Sequence, residues 1–259
     1  MSRIAALVYG GITYLVFLAV TAWGVGFFGN YHFRIADGIY FVPLAIDFGR
    51  PRVPILEALL IDGALLLVFA IQHSGMARQS WKARLTRVIS PAIERTTYVM
   101  ATNVALFLLF WQWRPLGGTL WAFGDGTSAA FVLRAVNLGG WVLVVVATFL
   151  INHFELFGLQ QVYAHARGVQ LPEPKFRQPY LYRWIRHPLY LGFLIAFWAT
   201  PMMSWGHLVF AVAATGYILV AVQFEERDLI RLFGDRYREY RQRVPMLLPR
   251  PGSRTKETV

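Results

Sequence analysis

The run LYLGFLIAFWATPMMSWGHLVFAVAATGYILVAVQF, residues 189–224, carries no Asp, Glu, Lys or Arg. A bilayer-spanning helix needs about 20 apolar residues, so this stretch is too long for one span and long enough for nearly two. Pro201, Ser204, Trp205 and Gly206 interrupt it, and breakers of that kind mark a turn. We read two helices folded back on each other, the first of them short, joined by a very tight turn. Outward from this hairpin, further apolar runs cover about 4–28, 54–73, 96–113 and 131–153. The expected fold is all-α: a polytopic integral membrane bundle of about six apolar helices, the last two a hairpin.

Composition agrees. The 259 residues are 56% hydrophobic, 16% aromatic and only 15% charged, where globular proteins carry about 25% charged residues. Mean hydropathy is +0.45. There is too little polar surface to wrap one or two soluble cores. Cysteine is absent, which excludes disulfides, Cys-ligated zinc, iron–sulfur clusters and a protein thiol nucleophile. The first apolar run exceeds the 7–15 residues of a signal-peptide core and reads as an uncleaved helix.

The net charge of +11 would suggest nucleic acid in a soluble domain. Here the basic residues lie between apolar runs, where anionic headgroups and membrane orientation explain them. The expected partner is the lipid bilayer, not nucleic acid. With six spans, 20 of the 25 Lys and Arg fall on one side, which should be cytoplasmic. Both chain termini then lie in the cytoplasm and the hairpin tip outside. The chain divides into 1–154, the N-terminal membrane helices, 155–250, and a polar, flexible tail at 251–259.

Charges inside spans are costly and mark candidate sites. Glu57 lies near an outer helix end and reads as interfacial; Asp62 is deeper, and either lines a cavity or pairs with an Arg such as Arg134. Gln72-His73-Ser74 and Asn152-His153-Glu155 fall at cytoplasmic helix ends. No two of the six His stand three or four apart and no HExxH occurs, so no metal site is expected. G-x-S-x-G and Walker A patterns are also absent.

The densest signal lies in YLYRWIRHPLYLG (180–192), FEERDL (224–229) and FGDRYREY (233–240). Pro188 suits the first turn of a helix, which puts Arg186 and His187 at its entrance and Tyr190 and Gly192 just inside. The hairpin should return Glu225 and Glu226 to the same depth. Two adjacent carboxylates there need cationic company, from Arg186, Arg227 or a bound cation. Leu229, Leu232, Phe233, Tyr240 and Val244 mark the apolar side of a cytoplasmic amphipathic helix lying on the membrane surface. RHP-x-Y-x-G opening the hairpin that EE closes points to a site for a small ligand carrying both charges.

RHPLYLG, the EE pair and FGDRYREY resemble the C-terminal half of isoprenylcysteine carboxyl methyltransferases and phospholipid methyltransferases. QHSGMAR (72–78), ERTTYV (94–99), FWQWRP (110–115) and NHFELFGLQQVY (152–163) are similar to bacterial methanethiol S-methyltransferases, which make dimethyl sulfide. The resemblance implies an S-adenosyl-L-methionine-dependent methyltransferase of the bacterial inner membrane, with 155–250 as the cofactor region and 1–154 as the acceptor side. By the same resemblance Tyr182, Arg186, His187, Tyr190, Gly192, Glu225, Glu226 and Tyr237 bind the cofactor. Gln72, His73, Asn152 and Trp111 would meet a small thiol substrate. Because a thiol attacks as thiolate, a base would help; His73 is the leading candidate and His153 the second, with His187 a further catalytic candidate. The alternatives are a lipid, prenyl-cysteine or other thiol acceptor, or a non-enzymatic membrane accessory protein.

Overall fold

A computed structural model of the chain describes residues 2–31, 34–36, 39–40, 44–173 and 175–249. The expected flexible tail, 251–259, lies outside the described residues. The helices are α1 (Arg3–Gly29), α2 (Ile55–Met76), α3 (Gln79–Leu85), α4 (Pro91–Gln112), α5 (Ser128–Ile151), α6 (His153–Leu156), α7 (Leu159–Arg167), α8 (Pro188–Trp198), α9 (Trp205–Phe233) and α10 (Asp235–Arg243), with a 3-10 turn at Tyr180–Arg183. Four short strands accompany them: β1 (Arg34–Ala36), β2 (Ile39–Tyr40), β3 (Thr119–Ala122) and β4 (Met202–Ser204).

By length and composition, α1, α2, α5 and α9 can each cross a bilayer. α4 matches α2 in length but opens with Glu94, Arg95, Thr96 and Thr97. α8, with 11 residues, reaches only about 16 Å. The lipid-facing side is explicit on α2, where only Ala58 and Asp62 are buried while Leu60, Leu67 and Ile71 are exposed. An all-round apolar helix that buries so little has hydrocarbon as its solvent. The protein is an all-α polytopic membrane protein.

The chain forms two compact units. The first comprises Met1–Phe123, Phe154–Pro172 and Met202–Val209. Two of its helices start at hydroxyl caps: Ser2 caps α1, and Ser90 with Pro91 starts α4. α1 packs on α4 and α7, and α2 on α4. The contact of α1 with α7 is close because Gly10 has no side chain; a Cβ there would stand 2.6 Å from Val162. The hairpin tip, expected as a plain tight turn, is instead strand β4, paired antiparallel with β3. Asp62 accepts the backbone N–H of Arg114 at 2.8 Å. The possible partner Arg134 is engaged with Asp125 instead, so Asp62 is tied to a backbone donor of its own unit.

The second unit comprises Gly124–His153, Glu173–Pro201 and Phe210–Val259. α5 and α8 cross at two glycines: a Cβ on Gly192 would lie 2.7 Å from the Gly140 carbonyl oxygen. Beside them, buried Asn137 donates to the Ala196 carbonyl at 2.6 Å. α8 and α9 form the expected hairpin; Phe197 meets Phe210 edge-on at 5.0 Å, and Trp198 Nε1 donates to Thr215 Oγ1 at 3.0 Å. α9 runs unbroken to Phe233, so the stretch expected to begin a separate surface helix continues a span. Gly234, at φ +60°, breaks it and α10 follows. Leu229 and Phe233 pack with Phe176, Tyr237, Tyr240 and Val244. Leu232, expected on that apolar side, is 59% exposed, because the turn at Gly234 aims the cluster away from it.

Candidate active site

Arg186 and His187 precede α8, and their positions are set by backbone. Their N–H groups donate to the carbonyls of Pro245 (2.9 Å) and Met246 (3.1 Å), so the segment after α10 straps the entrance of α8. Glu226 arrives on α9 and is 1% exposed. Its Oε1 accepts from Arg186 Nε at 2.6 Å and lies 3.1 Å from His187 Nε2. Arg241 Nε stands 2.9 Å from Oε2, an ion pair whose N–H is not aimed at the oxygen. Arg186 Nη1 also donates to the carbonyls of Arg241, at 2.9 Å, and Val244. A buried carboxylate is tolerable only when paired in this way. Arg227, one expected source of charge, instead lies over the Phe224 ring.

The neighbouring carboxylate is treated differently. The Glu225 side chain is 42% exposed, and its ion-pair contact among the described residues is His187 Nδ1 at 3.9 Å. Tyr190 places its ring 5.6 Å from that of His187. Tyr240 donates its hydroxyl to the Tyr182 carbonyl at 2.6 Å. The Tyr237 hydroxyl is buried and has no hydrogen-bond partner among the described residues. Burial pushes the phenols of Tyr182, Tyr237 and Tyr240 above their ordinary range. The charge of Glu225 adds to this at Tyr182, and both carboxylates add to it at Tyr237, partly offset by Arg186. All three stay neutral donors. Gly192, by contrast, faces Gly140 and serves helix packing.

The structure therefore gathers Tyr182, Arg186, His187, Tyr190, Glu225, Glu226 and Tyr237 at one end of the hairpin. Arg241 is the member that sequence reasoning missed. It is one of six arginines between 227 and 243, and nothing in that run distinguishes it.

A second polar cluster lies in the first unit. Both ring nitrogens of His73 stand near the Tyr98 hydroxyl, at 3.0 and 3.1 Å, and Nδ1 is 3.3 Å from Thr102 Oγ1. Gln72 Nε2 donates to Thr102 Oγ1 at 3.4 Å, while its buried Oε1 has no partner among the described residues. Arg95 lies over the Tyr98 ring at 4.9 Å. Tyr98 and Thr102 were not singled out from sequence, although Tyr98 belongs to the ERTTYV block. Trp111 is not part of this cluster. It is exposed, stacks with Arg50 and lies about 20 Å along α4 from Tyr98.

His153 is buried in the second unit. Its Nδ1 meets Thr148 Oγ1 at 2.8 Å and its ring stacks on Phe149 at 4.1 Å. Burial holds its imidazole below the usual range. The Asn152 N–H caps α5 through the Thr148 carbonyl.

No family model and no solved structure matches the chain. Curated proteins do. The chain is 49% identical over 255 residues to the methanethiol S-methyltransferase of Mycobacterium tuberculosis, covering 98% of this chain and 100% of that protein. It is 45% identical over 255 residues to the methanethiol S-methyltransferase of Crocosphaera subtropica, covering 98% and 96%. Nurim of Rattus norvegicus is 32% identical over 209 residues, 76% of each chain. With its RHP and EE segments meeting at one hairpin and 45–49% identity over nearly the full length of the two methanethiol S-methyltransferases, the chain belongs to the methanethiol S-methyltransferase family.

Proposed function

We propose that this protein transfers a methyl group from S-adenosyl-L-methionine to methanethiol, giving dimethyl sulfide, in the bacterial inner membrane. Near-full-length relatives bearing the methanethiol S-methyltransferase name support the acceptor. The observation that carries the cofactor is bonding capacity left over at the hairpin. The buried Tyr237 hydroxyl lacks a partner among the described residues, and Glu225 faces His187 Nδ1 across 3.9 Å. A ligand with a cationic end and several polar groups fits that donor and acceptor set.

When bound, S-adenosyl-L-methionine supplies a methyl group already activated by its sulfonium. What the chain must add is position, exclusion of water and removal of the thiol proton. Glu225, His187, Tyr190 and Tyr237 would hold the cofactor, with Arg186 and Tyr182 supporting them. Helices of 1–154 would form the acceptor side. There the thiol proton would pass to His73, which Tyr98 and Thr102 orient; His153, tied to Thr148, is the second candidate. An apolar acceptor reaches such a site through the bilayer, which gives the membrane location a physical purpose.

Purified protein given S-adenosyl-L-methionine and methanethiol should yield dimethyl sulfide and S-adenosylhomocysteine in equal amounts. Folded protein that makes neither overturns the proposal. One observation favours a bulkier acceptor: an open apolar groove of about 600 Å³ lined by Leu191, Leu194, Ile195, Trp198 and 245–248. A competition panel of longer alkyl thiols and prenyl-cysteines decides, since a methanethiol enzyme keeps its preference for the smallest.

A further inference from the structure

Glu225 and Glu226 are adjacent in the chain and opposite in circumstance. Glu226 has Arg186, Arg241 and His187 around it and is sealed from solvent. Glu225 has no guanidinium within ion-pair distance among the described residues, and its ion-pair contact there is His187 Nδ1. The tautomer of His187 follows from its other side. Nε2 sits 3.1 Å from the Glu226 carboxylate, an acceptor only, so the proton of the neutral ring belongs on Nε2 and Nδ1 is left as an acceptor. Nδ1 and Glu225 Oε2 are then two acceptors 3.9 Å apart. They cannot bond each other, yet one donor atom can sit about 2.8 Å from both.

We propose that His187 Nδ1 and Glu225 form a slot for a primary ammonium, and that Glu226 with Arg186 and Arg241 is a brace that holds the slot without touching the ligand. An ammonium offers three N–H donors and the positive charge that Glu225 lacks. A sulfonium has charge but no donor, so it does not fit between two acceptors. The slot rests on the proposed cofactor and assigns it the amino group of the methionine end. Arg241 becomes a positioning residue: it acts on His187 only through Glu226.

The test is calorimetric, so it does not depend on turnover. S-adenosylhomocysteine and its analogue lacking the amino group are titrated into wild type, Glu225→Gln, Arg241→Ala and Arg241→Lys. Loss of a charged hydrogen bond predicts that Glu225→Gln weakens S-adenosylhomocysteine by about 30-fold. The same variant should bind the analogue within about twofold of wild type, since the slot is empty in both. Arg241→Ala should weaken S-adenosylhomocysteine while leaving the analogue within about twofold of wild type, because it acts on the slot, and Arg241→Lys should recover part of the loss. Equal weakening of both ligands in Glu225→Gln, or unchanged affinity for S-adenosylhomocysteine, overturns the slot alone. Wild-type protein that binds neither ligand overturns the cofactor reading and the slot with it. If Glu225→Gln does not fold, wild type decides: equal affinity for the two ligands overturns the slot, and preference for the amino-bearing one supports it.

Discussion

At the scale of single residues, an unfilled bonding group is the most informative kind. A buried hydroxyl without a partner costs stability, so Tyr237 is retained at a loss unless a ligand uses it. Tyr237→Phe should therefore leave the melting temperature of ligand-free protein unchanged or raised. It should weaken S-adenosylhomocysteine by about three- to tenfold, the worth of one neutral hydrogen bond; calorimetry and a thermal melt check both. The neighbouring phenols give a pH prediction. Tyr182, Tyr237 and Tyr240 have folded pKa values above their ordinary 10.0. The stability they confer is fully present below about pH 10 and is lost as pH rises beyond it. Phenolate absorbance should show three of the 12 tyrosines ionising later in folded than in denatured protein. His153 acts at the other end of the scale. Its folded pKa lies below the ordinary 6.5, so its contribution is full above about pH 6.5 and is lost as pH falls. The difference in melting temperature between wild type and His153→Gln should be constant above that pH and should shift against wild type only as pH falls below it.

At the scale of elements, the crossing of α5 and α8 fixes where the RHP segment enters. Gly192 has Gly140 oxygen and Val144 nitrogen at 2.7 and 2.9 Å from its would-be Cβ, and backbone atoms cannot step aside. Gly192→Ala should lower stability in detergent by about 1–3 kcal/mol, the usual cost of overpacking. Gly139, the neighbour of Gly140 in α5, has nothing within 4 Å, so Gly139→Ala should be neutral or mildly stabilising in the same melt. α10 is a second positioning element. Through the Tyr240 hydroxyl on Tyr182, and Arg241 on Glu226, it ties the C-terminal segment to the proposed cofactor residues. Tyr240→Phe should cost about 1 kcal/mol and weaken ligand binding alongside.

At the scale of the whole molecule, the distribution of charge predicts an orientation. Because the chain has no cysteine, single introduced cysteines report sidedness cleanly. Cysteines at Ser2 and Glu239 should label only from the cytoplasmic face, and one at Asp125 only from outside. The membrane class, the apolar helices and the hairpin were legible from sequence because partitioning into hydrocarbon depends on local composition, which any 20-residue window reports. The meeting of RHP with EE was legible too, since a short connection between two apolar helices folds them back on each other and brings their far ends together. Strand β4 at the hairpin tip, the backbone strap over Arg186 and His187, and the choice of Arg241 from six arginines were not. Each depends on a partner distant in the chain. The split between Glu225 and Glu226 shows the reason most sharply: one step along a helix turns a side chain by about 100°, and only the packing of α8, α9 and α10 decides which of two identical groups faces inward.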